Sequence, residues 1–491
     1  MKVSSKNKPI VWSVAGSDCS GLAGQVADIR AIEALGAHPC MVTTAVTAQN
    51  SKKVIAINPL SKEQITSQFK ALEDELAADC IKVGLLPTVD AIDALREFLK
   101  EYDGKMIVDP VMVSSSGKEL MDQQAQEFFK TLFDRIDLLT PNIPELELLT
   151  GRKIKQLQDI EFAVDDILSA GVKAVLVKGG HADEDFCADY FCNDEESFWL
   201  RSERLYHDNT RGTGCVLAAS IAAAWAQNFS LKDAVVIGKM QINQAIENGY
   251  RVGKGKGPLK PLSWPAQQKY MPMLAKNFKQ SFYNFPDCGN QNLGLYPVVE
   301  RAEWLERLLP LGVTTIQLRV KDLNGEELEQ EIMEAIEISE RFNARLFIND
   351  YWQLAIKHKA YGVHLGQEDL ETADLEAISK AGLRLGISTH CHYEVATAHA
   401  IKPSYLACGP VYHTDSKQMP WVPHGVDNLS YWIDCMDGYP WVAIGGITMQ
   451  RINEVAKTGV SGIAMISAIT AAVDPEQTAA DMIKRINETM S

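Results

Sequence analysis

Gln317-Leu318-Arg319-Val320-Lys321 closes a short apolar run at 314–318 and alternates polar with apolar side chains. Successive side chains of an extended strand point to opposite faces, so Gln317, Arg319 and Lys321 fall on one side if the strand continues. Seven comparable runs accompany it, at 295–299, 345–348, 361–365, 383–387, 405–408, 441–444 and 462–466. Helical patterns separate most neighbours, as at 326–341 and 451–458. Eight strand–helix units in about 200 residues fit a compact (β/α)8 barrel, near the lower end of that architecture's size range. An open doubly wound sheet is the competing arrangement, and the chemistry of the run ends favours the barrel.

Barrel active sites are built at the carboxyl ends of the strands. Asn349-Asp350 ends the third run here, Gly366-Gln367-Glu368-Asp369 follows the fourth and Ser388-Thr389-His390 the fifth. Gly409 to Lys417 follows the sixth run, Gly445-Gly446-Ile447 the seventh and Ile466-Ser467 the eighth. A lone Asp after a strand is more often a helix N-cap than a metal ligand, and a Gly-Gly pair is usually only a turn. Seven such endings on one face argue for a site. Asp350 and Asp369 suit Mg²⁺, a hard cation that keeps its waters and grips phosphates. Arg319, Lys321 and Lys417 can neutralise a diphosphate, and the N–H groups of Gly446 and Ser467 match the usual phosphate pocket of the fold. His390-Cys391-His392 lacks a second ligand pair at a spacing suited to zinc.

Outside this half the texture changes. At 491 residues the chain exceeds the roughly 100–200 residues of one domain. From residue 8 to about 255, apolar runs at 10–14, 80–83, 106–108, 138–139 and 174–177 alternate with helical patterns, as in parallel α/β domains. Gly, Lys and Pro then crowd 253–265. The expected division is a first domain at 1–262, a linker at 263–290 and a barrel domain at 291–491.

Composition narrows the function. Hydrophobic residues make up 46% and charged residues 23%, which is ordinary for globular domains. The net charge of −16 argues against a nucleic-acid binder. Ten scattered cysteines with no CxxC pair read as reduced thiols, and no run approaches the ~18 apolar residues of a membrane span. The amino terminus reads as a buried first strand rather than a signal peptide. The expectation is a cytoplasmic protein with small-molecule partners, no nucleic acid and no membrane; a homo-oligomer is left open.

Four features of the first half carry chemistry. Gly212-Thr213-Gly214-Cys215 opens a helical run at 216–226, where free N–H groups and the helix dipole favour an anion. Asn142 and Glu145, after a strand, either organise a Mg²⁺-bound phosphate or cap a helix. Lys178 sits at a strand end, and Ala15-Gly16-Ser17-Asp18 pairs with Thr47-Ala48-Gln49-Asn50 downstream.

The segments QLRVK, LFIND, VHLGQEDL, LGISTH, GPVYHTDSK, IGGI and ISAI resemble thiamine-phosphate synthase over about 293–490, which implies a TIM barrel. That resemblance implies that Gln317, Arg319, Lys321, Asn349, Ser388 and Lys417 bind a pyrimidine diphosphate. It likewise implies Mg²⁺ on Asp350 and Asp369, and a thiazole phosphate on Thr414, Asp415, Ser416, Gly446, Ile466 and Ser467. His413, Asp415 and Ser416 depart from the family's usual loop.

AGSD, QVADIRA, TAVTAQN, VDPVM, LTPNIPE, VLVKGGH and GTGC resemble hydroxymethylpyrimidine (phosphate) kinases over about 8–255. The resemblance implies a ribokinase-like doubly wound sheet. It places the pyrimidine on Gln49, Thr47, Gly16 and Ala23, and Mg·ATP on Asn142 and Glu145. Catalytic roles fall to Lys178, Gly212, Gly214 and Cys215, the last in the place where sugar kinases use an Asp base. Leu22, Leu85 and Arg211 depart from the pattern, Arg211 standing where the family usually has His. The implied function is bifunctional: ATP phosphorylates hydroxymethylpyrimidine and then its monophosphate, and the diphosphate is coupled to hydroxyethylthiazole phosphate. A pyridoxal-type kinase, or a non-catalytic pyrimidine-binding module, remains the alternative for the first domain.

Overall fold

The computed structural model describes residues 7–113, 117, 119–179, 185–278, 283–289, 291–414 and 423–490. Contacts divide the chain into two compact units, one carrying an open sheet and the other a barrel.

Among the described residues the sheet has ten strands, in the order β10-β9-β8-β7-β6-β5-β4-β1-β2-β3. They are β1 (Ile10–Asp18), β2 (His38–Gln49), β3 (Val54–Pro59), β4 (Cys80–Val83), β5 (Lys105–Val108), β6 (Leu138–Leu139), β7 (Ala174–Val177), β8 (Phe186–Asn193), β9 (Ser197–Glu203) and β10 (Met273–Ala275). The six from β7 to β2 are parallel, and antiparallel strands extend both edges. Strands buried on both faces read as continuous apolar runs. So it is for β4 and β7, all of whose residues are buried. β10 lies inside the stretch 263–290 that the sequence sets aside as a linker, and it pairs with β9.

The second unit is a closed barrel of eight parallel strands: β11 (Gly294–Val299), β12 (Thr315–Leu318), β13 (Arg345–Asn349), β14 (Gly362–Leu365), β15 (Arg384–Thr389), β16 (Tyr405–Cys408), β17 (Trp441–Ile444) and β18 (Gly462–Met465). Its interior is filled by large rings set against glycines, as small barrels require. Phe347 and Tyr405 pack edge to face at 5.1 Å. A Cβ at Gly386 would come within 2.1 Å of the Tyr405 ring, and one at Gly362 within 2.6 Å of Phe347. No helix among the described residues is long and apolar enough to cross a membrane.

Candidate active sites

Open α/β sheets bind ligands beyond the carboxyl ends of their strands. Here that region holds a cavity of about 530 Å³. Gly16 reaches it from β1, Ala23 from the following loop, and Thr47 and Gln49 from β2. Asn142 and Glu145 enter from the start of helix Ile143–Thr150, and Lys178 from just beyond β7. Gly212, Gly214 and Cys215 complete it at the start of helix Thr213–Ala226. All ten residues put forward from this half therefore share one cavity.

Local hydrogen bonds shape the walls. The Asp18 carboxylate accepts from Ser20 N at 2.8 Å and Ala23 N at 3.1 Å, folding the loop after β1 back on itself. Gly24 closes that loop at φ 61°, where a Cβ would meet Gly16 O at 2.4 Å. Leu22, the side chain replacing a glycine-like position, is buried, while Ala23 and Gly24 face the cavity. Asn142 and Glu145 do form a reciprocal capping box: Asn142 N donates to Glu145 Oε2 at 2.8 Å and Glu145 N to Asn142 Oδ1 at 2.9 Å. Capping does not exhaust Glu145, since Lys178 Nζ lies 3.7 Å from its Oε2. Burial raises the Glu145 carboxyl above its ordinary range, and Lys178 opposes the shift.

Cys215 differs from the expectation that a helix N-terminus favours a thiolate. Burial pushes its thiol up to about 11, outweighing the positive charge of Lys82. At neutral pH the group is a thiol.

In the barrel, parallel strands bring the polar endings to one rim. Gln317 and Asn349 are buried at the ends of β12 and β13, and Asn349 Nδ2 has no hydrogen-bond partner among the described residues. Arg319 continues the ladder beyond β12, its N–H donating to Val299 O at 2.7 Å. Lys321 Nζ donates to Asp350 Oδ2 at 2.5 Å. Asp350 adopts φ 66°, a left-handed conformation rare for a residue with a side chain. Asp369 accepts from Gly366 N at 3.1 Å. Burial, reinforced by the neighbouring Asp350 carboxylate, raises the Asp369 carboxyl. A carboxylate whose charge is disfavoured by burial and by a second carboxylate beside it, with oxygen donors at hand, suits a hard divalent cation.

Ser388 lies on β15, with Oγ 2.8 Å from His364 Nε2. Gly446 follows β17 at φ 63°, where a Cβ would meet His413 O at 2.3 Å. Ile466 and Ser467 follow β18 at the start of a short helix, and Thr414 lies in the segment beyond β16. Asp415, Ser416 and Lys417 fall outside the described residues. His390 and His392 are engaged by Glu394 at 2.8 Å and Tyr431 at 3.2 Å.

Residues 295–469 match the family model for thiamine monophosphate synthase, and residues 18–260 that for phosphomethylpyrimidine kinase. A thiamine-phosphate synthase of Yersinia pseudotuberculosis is 56% identical over 202 residues, 41% of this chain and 94% of that protein. The Salmonella typhimurium enzyme of the same name is 58% identical over 191 residues, 39% of this chain and 90% of that one. The chain belongs to the thiamine-phosphate synthase family. Ahead of the synthase barrel, the sheet unit is similar to the pyridoxal kinase of Staphylococcus aureus, with TM-score 0.50, 26% identity, and coverage of 55% of this chain and 98% of that one.

Both the kinase domain and the synthase barrel set beside their candidate sites residues to which the sequence assigned no role. In the kinase cavity these are Asp109, Lys82 and Arg211. Asp109 Oδ1 lies 2.5 Å from Lys178 Nζ, and Lys82 is fully buried against Asp28 at 3.0 Å. VDPVM carried Asp109 in plain view, as a carboxylate directly after a strand. In the synthase barrel a buried chain runs from Ser388 through His364 to Tyr405 at 2.7 Å and Tyr296 at 2.8 Å. Gln317 Nε2 joins it at Tyr296 OH, 3.4 Å away.

Proposed function

We propose that the two sites perform successive steps of thiamine assembly on one chain. The kinase domain, residues 1–262, phosphorylates hydroxymethylpyrimidine and then its monophosphate with ATP. The synthase barrel, residues 291–491, joins the diphosphate to hydroxyethylthiazole phosphate and releases pyrophosphate. The intervening stretch lends β10 to the kinase sheet.

In the kinase, Gly16, Ala23, Thr47 and Gln49 hold the pyrimidine, and Asn142 and Glu145 organise Mg·ATP. The substrate hydroxyl oxygen forms a bond to the terminal phosphorus of ATP as the bond to ADP breaks. Lys178 and the N–H groups at Gly212 and Gly214 stabilise charge on the phosphoryl group in flight. Cys215, a thiol at neutral pH, orients the hydroxyl rather than removing its proton.

In the synthase, Gln317, Asn349 and Ser388 orient the pyrimidine diphosphate, while Arg319, Lys321 and Lys417 neutralise it. Asp350 and Asp369 would hold a Mg²⁺ ion, which would supply further positive charge to the departing diphosphate. The methylene carbon–oxygen bond breaks, its electron pair departs with pyrophosphate, and the electron-rich ring stabilises the cation left behind. The thiazole nitrogen then forms the new carbon–nitrogen bond. Thr414, Asp415, Ser416, Gly446, Ile466 and Ser467 hold the thiazole phosphate, and no protein nucleophile is required. The carrying observation is the convergence of Gln317, Asn349, Ser388 and the Asp350–Asp369 pair on one barrel rim, with the Asn349 amide nitrogen buried and without a hydrogen-bond partner among the described residues. The protein acts in the cytoplasm, where ATP is available and all ten cysteines stay free thiols.

The decisive experiment supplies hydroxymethylpyrimidine, ATP, thiazole phosphate and Mg²⁺ to the purified chain and measures thiamine phosphate. Formation only from preformed diphosphate would confine activity to the barrel. No product from either start would refute the proposal.

A further inference from the structure

The Gln49 side chain already has a partner in the kinase cavity. Arg211, from the turn before helix Thr213–Ala226, donates from Nη2 to Gln49 Oε1 at 2.8 Å. Both residues line the cavity, and Arg211 is only 8% exposed. The Arg211 backbone is fixed as well, its N–H donating to Gly257 O at 3.1 Å. A guanidinium carries donors and no acceptor. The amide oxygen must therefore face it, because the opposite flip would set NH2 against N–H. Arg211 thereby removes the two-fold choice that a glutamine amide otherwise has, and turns Gln49 Nε2 away from itself. Arg211 Nε is buried and has no hydrogen-bond partner among the described residues.

We propose that Arg211 is a positioning residue that sets the substrate specificity of the kinase through Gln49. With Oε1 anchored, Nε2 donates to a ring nitrogen, and the remaining Oε1 lone pair accepts from an amino group beside it. This arrangement selects an acceptor flanked by a donor, the edge that a 4-aminopyrimidine presents. A heterocycle lacking that amino group forfeits one of the two contacts. The inference rests on the proposed role of Gln49 in pyrimidine binding.

The test compares kinase kinetics of the full chain and of Arg211→Met, Arg211→Lys and Gln49→Ala. The substrates are hydroxymethylpyrimidine and its analogue without the 4-amino group. An ADP-induced melting shift of wild-type size identifies folded variants, and Arg211→Gln replaces Arg211→Met should the latter fail to fold. Arg211→Met is expected to raise KM for hydroxymethylpyrimidine on the order of tenfold, as loss of a charge-assisted contact does, with kcat little changed. Preference over the deamino analogue should narrow in step, because the freed amide can flip, and Arg211→Lys should recover part of both. Unaltered KM and preference in Arg211→Met, alongside a raised KM in Gln49→Ala, would overturn the role of Arg211 alone. A silent Gln49→Ala would overturn the pocket assignment and this inference with it.

Discussion

Lys178 Nζ and Asp109 Oδ1 lie 2.5 Å apart, joining the ends of β7 and β5 across the kinase cavity. Glu145 Oε2 lies 3.7 Å from the same Nζ, so the lysine faces two carboxylates. Removing the Asp109 charge leaves the buried lysine with Glu145 alone as its counter-charge. Asp109→Asn should destabilise the kinase domain by on the order of 3 kcal/mol and slow phosphoryl transfer about a hundredfold. Thiamine-phosphate formation from preformed pyrimidine diphosphate should be untouched. Thermal melting and the two separate assays check this. Wild-type kinase turnover in Asp109→Asn would reduce the pair to a structural one.

Cys215→Ala should lower pyrimidine phosphorylation strongly, and Cys215→Ser should lose less because a hydroxyl can still hydrogen-bond the substrate alcohol. The thiol is pushed up to about 11, so its deprotonation begins well above neutral pH. Between about pH 6 and 9 the wild-type rate should therefore show no inflection that Cys215→Ser abolishes. Such an inflection in kcat would restore the thiolate as a base.

The barrel rim was legible because each strand carries its own message: an apolar run, then a polar ending, repeated around one closed ring. A periodic local pattern survives without tertiary information. The pairings of Asp109, Lys82 and Arg211 were not legible for the opposite reason. Their partners Lys178, Asp28 and Gln49 are supplied by other elements, and nothing local marks which of the chain's charged residues will meet. Tyr296, His364 and Tyr405 sit inside apolar runs and look like ordinary core until the barrel closes and joins their polar atoms. The Cys215 thiol shows the limit differently. A helix start argues for a lowered pKa, and only the packing around it reveals that desolvation is larger.

Asp350 and Asp369 follow different strands, and the proposed Mg²⁺ site draws on both. Asp→Asn keeps size but removes the charge that a hard cation prefers. Each single substitution should weaken the Mg²⁺ dependence of the synthase, and the double should cost less than the sum, because ligands of one ion are not independent. Since Asp350 helps raise the Asp369 carboxyl, Asp350→Asn should also lower the pKa of Asp369 in metal-free protein. A Mg²⁺ titration of synthase rate, with kinase rate as the internal control, measures this. Normal Mg²⁺ dependence in both singles would leave Asp369 as a helix cap.

His364 couples barrel stability to pH. Burial pushes its imidazole down to about 4, although Asp350 pulls the other way. In the unfolded chain the group titrates near 6.5, so below that pH the unfolded state binds a proton that the folded barrel refuses. The stabilisation is complete above about pH 6.5 and is lost as pH falls towards 4, amounting to on the order of 3 kcal/mol. His399 and His424 are also depressed to about 4 by burial and share the window. His364→Gln keeps a donor and an acceptor for Tyr405 and Ser388 but cannot titrate. At pH 7.5 the variant should be somewhat less stable than wild type, because an amide fits the ring's place poorly. On acidification from pH 7 to 4.5 its barrel should lose less, by roughly the share of one of the three histidines. The measurement is the melting temperature of the barrel transition across that range in both proteins. Parallel curves would show that the buried imidazole takes up its proton without unfolding.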